Sequence, residues 1–475
     1  MRCNKRGVIL RTLIYKFKNN WVNFWSTKEL TKKVIFTSLL LIVYIMGTTI
    51  TVPFVKVKDI NQLGNNSFLN TLNLIGGGGL RQFSLFALGI SPFINASLIM
   101  MILQSKIFPP IHKLSQSGPQ GRRKINVITR FLTLAIAYPQ AVFLLKTLTA
   151  GDNPFIYLDL SKVNISENAM VYFILPMILT ATSLFALFIS EQITNKGVGN
   201  GTSLIIFTGI AARLPFQFKE AFFHYIGLDP SKLSSSLVGI VNFTTYIVVY
   251  LVIIMIIAIV YAAERHIPIQ QIGAGRSKSK KDMGKLPIKL NPGGIMPIIF
   301  AMMVLSFPTM IANILPADNA SKQWIDHNLQ FTQPIGFTLL LVIIFAFSLV
   351  MGIQQSKVDK IAEDFAKNST FIPGVRPGEE TQDYLIGIVF RLSVFSSIYL
   401  LILGGMQFVE IMAGILPSVI SFGGTGLMIL VSVSLETVSQ LQARRKSYRL
   451  AKAKRESIKN IESNYQAESV EGLLW

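Results

Sequence analysis

The chain has 475 residues, of which 51% are hydrophobic and only 15% charged, yet its formal net charge is +21. A mean hydropathy of +0.49 beside a pI near 9.9 excludes an ordinary soluble globule, and a soluble nucleic-acid binder of that pI would not have its Lys and Arg parcelled out between apolar runs. A single cysteine, Cys3, excludes a disulfide framework and any cysteine-based metal centre.

The N-terminal segment 1–33 opens with MRCNKRGVILRTLIYKFKNNWVNFW, basic but without an apolar stretch of signal-peptide length. It reads either as a retained amphipathic segment on the inner leaflet or as a solvated cytosolic tail. Ten apolar runs follow, at 34–55, 85–105, 125–147, 169–190, 198–213, 238–262, 293–315, 334–355, 386–404 and 421–440. Most approach the roughly 20 residues that bridge a bilayer core. Positive charge clusters before the first run (Lys28, Lys32, Lys33), after the second (Arg122, Arg123, Lys124), after the sixth (Arg276, Lys278, Lys280, Lys281) and in the tail 441–475. By the positive-inside rule these segments face the cytosol, both termini with them, and the loops 148–168 and 315–334 face outward.

Two runs are unusual. The second is preceded by LNTLNLIGGGGLRQFS (69–84), apolar but too short and glycine-broken to span. Such backbone is tolerated at membrane depth only beside protein or a water-filled cavity. The fifth begins in GVGNG (197–201) and meets Pro215, so it is expected to be short. Interrupted segments in a ten-span chain point to a central cavity and to two five-span halves of opposite topology, here 34–215 and 216–440. The fold class is therefore an all-α polytopic membrane protein, with ten transmembrane helices in two pseudo-symmetric inverted halves around a central pore. No Asp, Glu, Lys or His lies in the middle of a run; Arg130, Arg391 and Glu436 lie near the ends. Ion-coupled transporters need buried ionisable groups, and GVGNGTS lacks the lysine of a nucleotide loop. The energy for any transport must come from a partner. Four histidines and one cysteine form no visible metal or nucleophile constellation, so neither an enzyme nor a cofactor is expected.

Six stretches, GGGGLRQFSLFALGISPFINASLIM (76–100), QGRRKIN with TR (120–130), EQITNKGVGNGTSLIIFTGI (191–210), LPIKLNPGGIMPIIFA (286–301), FIPGVRPGEET (371–381) and GGTGLMI (423–429), closely resemble the SecY family of channel subunits of the bacterial protein translocase. They occur in the family's order and spacing from about residue 30 to residue 445. The resemblance implies an hourglass channel between spans one to five and six to ten, closed by an apolar ring and a plug and opening sideways between spans two and seven. It places Ile90, Ile94, Ile206, Ile299 and Ile429 in the ring, and Ile90 and Ile94 are spaced to share a helix face. A ring of branched apolar side chains offers water no hydrogen bonds, so a narrow gap dewets and seals. The alternative for these residues is ordinary helix packing. Thr202 stands where the family often has a further isoleucine, which leaves open whether it faces the pore.

The plug implied by the resemblance runs over 70–84, including Leu74, Gly76, Gly77, Gly78, Gly79 and Arg81. Four glycines each lower helix propensity by about 1 kcal/mol relative to Ala, which suits an element that leaves its seat; the same residues also read as a glycine-rich external loop. Asn95 and Ser97 on span two and Phe307 on span seven fall at the lateral gate by resemblance, and can equally be interhelical glue. Met100, Met101, Met302 and Met303 lie nearby, Met101 replacing a glutamine common in the family, and flexible thioethers suit a surface that accepts many signal helices.

Two cytosolic loops read as docking surfaces. Loop 263–292 carries Arg265, His266, Arg276 and Lys280 and by resemblance meets rRNA phosphates of a docked ribosome; basic loops also fix topology or touch anionic lipid. Loop 356–385 mixes Lys357, Lys360 and Arg376 with Asp359, Glu363, Asp364, Glu379 and Glu380. Arg376 matches the family arginine associated with the SecA motor. The implied partners are SecE, SecG, SecA, the ribosome, preprotein signal sequences, YidC, SecDF and anionic lipids, at the bacterial cytoplasmic membrane. The functional expectation is a passive protein-conducting channel; the alternative is a secondary transporter or lipid flippase for small solutes.

Overall fold

The computed structural model describes residues 28–57, 76, 78–80, 82–104, 108–149, 156–158, 166–227, 233–271, 284–312, 319–417 and 420–471. The first 27 residues of the N-terminal segment, and Leu74, Gly77, Arg81, Arg276 and Lys280, lie outside these.

The described chain is overwhelmingly helical, and all ten predicted runs fall on helices. The first, α1 (Lys28–Thr49), buries Leu30, Thr37 and Tyr44, seven residues apart and so on one face. Its other side exposes Ile35, Leu39, Ile42 and Met46, as a helix facing lipid does. Strand β1 (Val55–Val57) follows. Helix α2 (Ser91–Leu103) is only 13 residues long, whereas the hydropathy run begins six residues earlier. Residues 84–90 turn instead, because Gly89 adopts a φ of +53° and Pro92 belongs to a first helical turn. Ile90 is thus the residue capping α2, not part of its face.

A short helix α3 (Pro109–Gln116) leads into α4 (Gly118–Thr149), followed by β2 (Ile156–Leu158). A π-helical turn, Met170–Ile174, opens into α5 (Leu175–Lys196). Helix α6 (Gly201–Ile226) corrects the expectation of a short fifth span: it continues for 26 residues through Pro215. The proline removes a single N–H donor, and α6 is surrounded by α1, α5, α7 and α13, so the remaining backbone bonds hold the helix together. Then come α7 (Leu233–Ala262), β3 (Glu264–Gln271), β4 (Gly284–Lys289), α8 (Met296–Ala312), α9 (Ala320–Asn328), α10 (Pro334–Ser356), α11 (Val358–Lys367), β5 (Thr370–Phe371), α12 (Glu379–Met412) and α13 (Gly424–Glu471). The 48 residues of α13 rise about 72 Å at 1.5 Å each, more than twice a hydrocarbon core of about 30 Å. The expected basic tail is therefore, up to Glu471, an extension of the tenth span.

Among the described residues seven helical stretches are long and apolar enough to cross a membrane, while α2 and α8 are shorter apolar helices. The principal contacts sort the spans into two sets. Helices α1, α2, α4, α5 and α6 pack among themselves, as do α7, α8, α10, α12 and α13; the sets meet where α6 touches α7 and α13 and where α2 touches α8. Two small sheets supplement the helices in loops that the sequence pattern leaves unstructured. Strands β1 and β2 pair antiparallel, and β4, β3 and β5 form an antiparallel three-stranded sheet in that order.

Candidate functional site

The five isoleucines singled out by the sequence are all buried in one apolar cluster, although four come from four different helices and the fifth, Ile90, caps α2. Ile90 and Ile94 bracket the first turn of α2, where the Ile94 N–H donates to the Ile90 carbonyl at 3.2 Å. Ile94, Ile206 of α6 and Ile299 of α8 line a cavity of about 450 Å³. On its other side Ile299 meets Ile429 and Met428 of α13 around a second, tighter gap. Isoleucine side chains thus converge from α2, α6, α8 and α13 and offer water no hydrogen bond, the tighter gap holding one hydroxyl, that of Thr425.

Polar side chains also reach the cavity. Asn126 and Thr129 of α4, Thr194 of α5 and Thr202 and Ser203 of α6 all reach it. Thr202 does line this space, but its hydroxyl is spent on Asn200 Oδ1 at 2.7 Å, the same oxygen that caps the start of α6 by accepting the Thr202 N–H at 3.2 Å. At the rim Arg130 donates to both carboxylate oxygens of Glu191, at 2.8 and 2.6 Å, tying α4 to α5. Such a bidentate pair fixes orientation as well as charge.

The seam between α2 and α8 differs from the expectation in one respect. Asn95 is buried, yet its Nδ2 donates to Gln140 Oε1 of α4 at 3.4 Å, and Gln140 Nε2 donates to Ser91 Oγ at 2.9 Å. The Asn95 amide is turned toward α4, because an amide buried among apolar helices goes to the nearest polar partner. Ser97 lines the cavity, and Phe307 sits half-buried on α8 immediately before Pro308.

The described glycines of segment 70–84 do not form an open external loop. The Gly76 carbonyl accepts the buried Tyr44 hydroxyl of α1 at 2.7 Å, and the Gly79 carbonyl accepts from the Ser84 N–H and Oγ, both at 2.9 Å. Leu80 and Phe83 are fully buried among Leu144, Leu145 and Leu148 of α4 and Leu175 and Leu179 of α5. Thr182 and Ser183 of α5 donate to the carbonyls of Leu85 and Gly89 at 2.6 and 2.7 Å.

The two cytosolic loops prove to be one folded unit. Strand β3 pairs along its length with β4, and its end, Gln270 and Gln271, pairs with Phe371 and Thr370 of β5. Beneath the sheet Ile267 and Ile288 pack with Val358, Ile372, Leu385 and Val389. Arg265 and His266 project from exposed positions of β3. Arg376 stands on a tight turn between Gly374 and Gly378, both at positive φ, with its side chain 87% exposed; its carbonyl accepts the Thr381 hydroxyl at 2.7 Å and its N–H donates to Glu380 at 3.3 Å. The exposed guanidinium stands 3.8 Å from the Glu380 carboxylate, a loose surface pair that a docking partner can displace. On α11 a hydrogen bond from Lys367, and then its charge, hold the Glu363 carboxyl below its ordinary range at a separation of 2.6 Å.

Sequence reasoning misses Tyr44, Gln140, Glu191 and Thr182. Three are polar residues inside an apolar run and Glu191 directly follows one, which is the signal that flags them. Their partners lie 32 to 97 residues away, which no local pattern reports.

A membrane-embedded helical bundle with an apolar constriction beside a cavity that polar side chains also reach has the architecture of a helical channel. Residues 84–438 match the SecY family model. The protein translocase subunit SecY of Mycoplasma capricolum subsp. capricolum is 35% identical over 449 residues, covering 94% of this chain and 92% of that protein; that of Bacillus subtilis is 34% identical over 434 residues, covering 90% and 97%. The chain belongs to the SecY family. Its fold is similar to that of a solved protein-conducting channel, with a TM-score of 0.60 at 16% identity over 87% of this chain and 92% of the other. It is also similar to Sec61 in a canine ribosome-channel complex, with a TM-score of 0.54 at 16% identity over 87% and 92%.

Proposed function

We propose that the chain is the protein-conducting channel of a Sec translocase, passing unfolded preproteins across the cytoplasmic membrane and releasing transmembrane segments sideways into it. It is a conduit and not an enzyme. The observation that carries this reading is the burial of five isoleucines in one apolar cluster, three of which, Ile94, Ile206 and Ile299, line a cavity that polar side chains also reach. In this reading Ile90, Ile94, Ile206, Ile299 and Ile429 form a gasket that seals against ions and yields around a passing chain. Segment 70–84 is the plug above it, the helical sets ending with α6 and beginning with α7 are the halves of the channel, their boundary lying past Ile226 and not at 215, and the seam of α2 and α8, with Ser97 and Phe307, is the lateral exit.

Both termini are cytosolic, in the bacterial cytoplasmic membrane. SecE and SecG accompany the channel, and SecA or the ribosome drives it, with YidC and SecDF as further partners. Arg376 meets the motor, and loop 263–292 with Arg265, His266, Arg276 and Lys280 meets rRNA on a docked ribosome; the exposed positions of Arg265 on β3 and of Arg376 on its turn support this assignment. The test is reconstitution of the chain with SecE in vesicles. Addition of SecA and ATP should carry a preprotein into the lumen, where it is protected from protease. Uptake of small solutes without preprotein transport would favour a secondary transporter instead.

A further inference from the structure

Helix α1 holds one described residue of the glycine segment, Gly76. The Tyr44 side chain is essentially fully buried, and its hydroxyl donates to the Gly76 carbonyl at 2.7 Å. The same ring stacks on Phe86 with centroids 4.9 Å apart. One turn along α1, Gly47 makes room for that ring: a Cβ there would stand 2.0 Å from Phe86 Cε2. On the far side Gly76 rests against Gly89, where a Cβ would come within 2.4 Å of the Gly76 Cα.

The base of the segment is held differently. Ladder-like backbone bonds join Val52 N to Phe83 O at 3.0 Å and Leu85 N to Ile50 O at 2.9 Å. Residues 83–86 are therefore fixed to the end of α1 by backbone bonds and a buried ring, whereas Gly76 is gripped by a side-chain hydroxyl. A backbone ladder is not readily exchanged, while the phenol–carbonyl bond is one side-chain hydrogen bond, worth about 1 kcal/mol net.

We infer that Tyr44 is the latch of the closed channel, a positioning residue whose hydroxyl holds the glycine segment in its seat and whose release accompanies opening. The inference rests on the reading of 70–84 as the plug. Tyr44→Phe is the informative change, because it keeps the ring, its stacking on Phe86 and the packing of α1 and removes one oxygen. In planar bilayers containing the purified complex without preprotein, this variant should raise ion conductance on the order of tenfold, equivalent to about 1.4 kcal/mol lost from the closed state. It should also let precursors with weakened signal sequences pass.

The companion measurement is excision of residues 70–79, alone and with Tyr44→Phe. If excision leaks, Tyr44→Phe leaks, and the combination leaks no more than excision alone, the hydroxyl acts through the segment and the latch stands. If excision leaks but Tyr44→Phe conducts as wild type, the latch is wrong and the plug reading survives. If Tyr44→Phe adds the same conductance with and without the segment, Tyr44 acts through bundle packing and the latch is again wrong. If excision does not leak, the plug reading falls and the latch with it.

Discussion

At the scale of single residues, some polar side chains of the spans bond back to their own helix, as Thr129, Thr133 and Thr208 do, and others reach a neighbouring one. Gln140 illustrates the energetics. It bridges Ser91 and Asn95 inside the bundle, while Asn95 Oδ1 has no partner among the described residues. Replacing Gln140 with Leu leaves both groups to find other partners, and interhelical hydrogen bonds in membranes are worth about 0.6 to 2 kcal/mol each. A loss of about that size is expected in the thermal or denaturant unfolding of the purified complex; an unchanged midpoint would show that the amide chain is incidental. Ile299 touches both the cavity and the α13 contact, so Ile299→Asn places a hydrogen-bonding amide in the dry gap. Bilayer conductance should rise clearly above wild type, and equality would remove the gasket assignment. Arg376→Glu is the opposite kind of change. The side chain is 87% exposed, so folding and SecE association should be unaltered while SecA-driven secretion stops. Normal secretion with SecA limiting would end the motor assignment.

At the scale of elements, the main departure from sequence reasoning is that loops 263–292 and 356–385 share a sheet and a small apolar core. Opposed residues of antiparallel strands have Cα atoms about 4.5 to 5.5 Å apart, within the span a disulfide closes. Gln271 and Thr370 are such a pair, and Cys3 is the chain's single native cysteine. Cysteines at both positions should bridge under mild oxidation without loss of secretion, because the two loops already move as one body. A bridge that halts secretion would mean that β5 must part from β3 when a partner docks.

At the scale of the whole molecule, the two helical sets touch densely along α6 with α7 and α13. At the α2 and α8 side they share the cavity instead. That asymmetry predicts where the bundle parts. Ser97 of α2 and Phe300 of α8 line the cavity from its two sides, so cysteines at these positions joined by a short bis-maleimide should hold the sets together and block preprotein passage. The equivalent monofunctional reagent should not. Continued transport through the tethered channel would place the exit elsewhere.

Ten apolar runs, the alternation of basic loops and the absence of mid-run carboxylates were enough to define a polytopic helical membrane protein, because a bilayer imposes length and charge rules that each segment obeys on its own. The family motifs added the identity of the isoleucines. What depended on the third dimension was every pairing between distant segments. Pro215 does not end α6 because four neighbouring helices support it, and residues 84–90 do not join α2 because Gly89 and Pro92 make a turn that the hydropathy run conceals. The strands β3 and β5, nearly 100 residues apart in the chain, become one sheet only when α10 and α12 bring their loops together. The Tyr44 hydroxyl finds the Gly76 carbonyl 32 residues away for the same reason: a hydrogen bond within a bundle is set by which faces the helices bury against each other, and one-dimensional periodicity records that a face is buried but not what lies opposite.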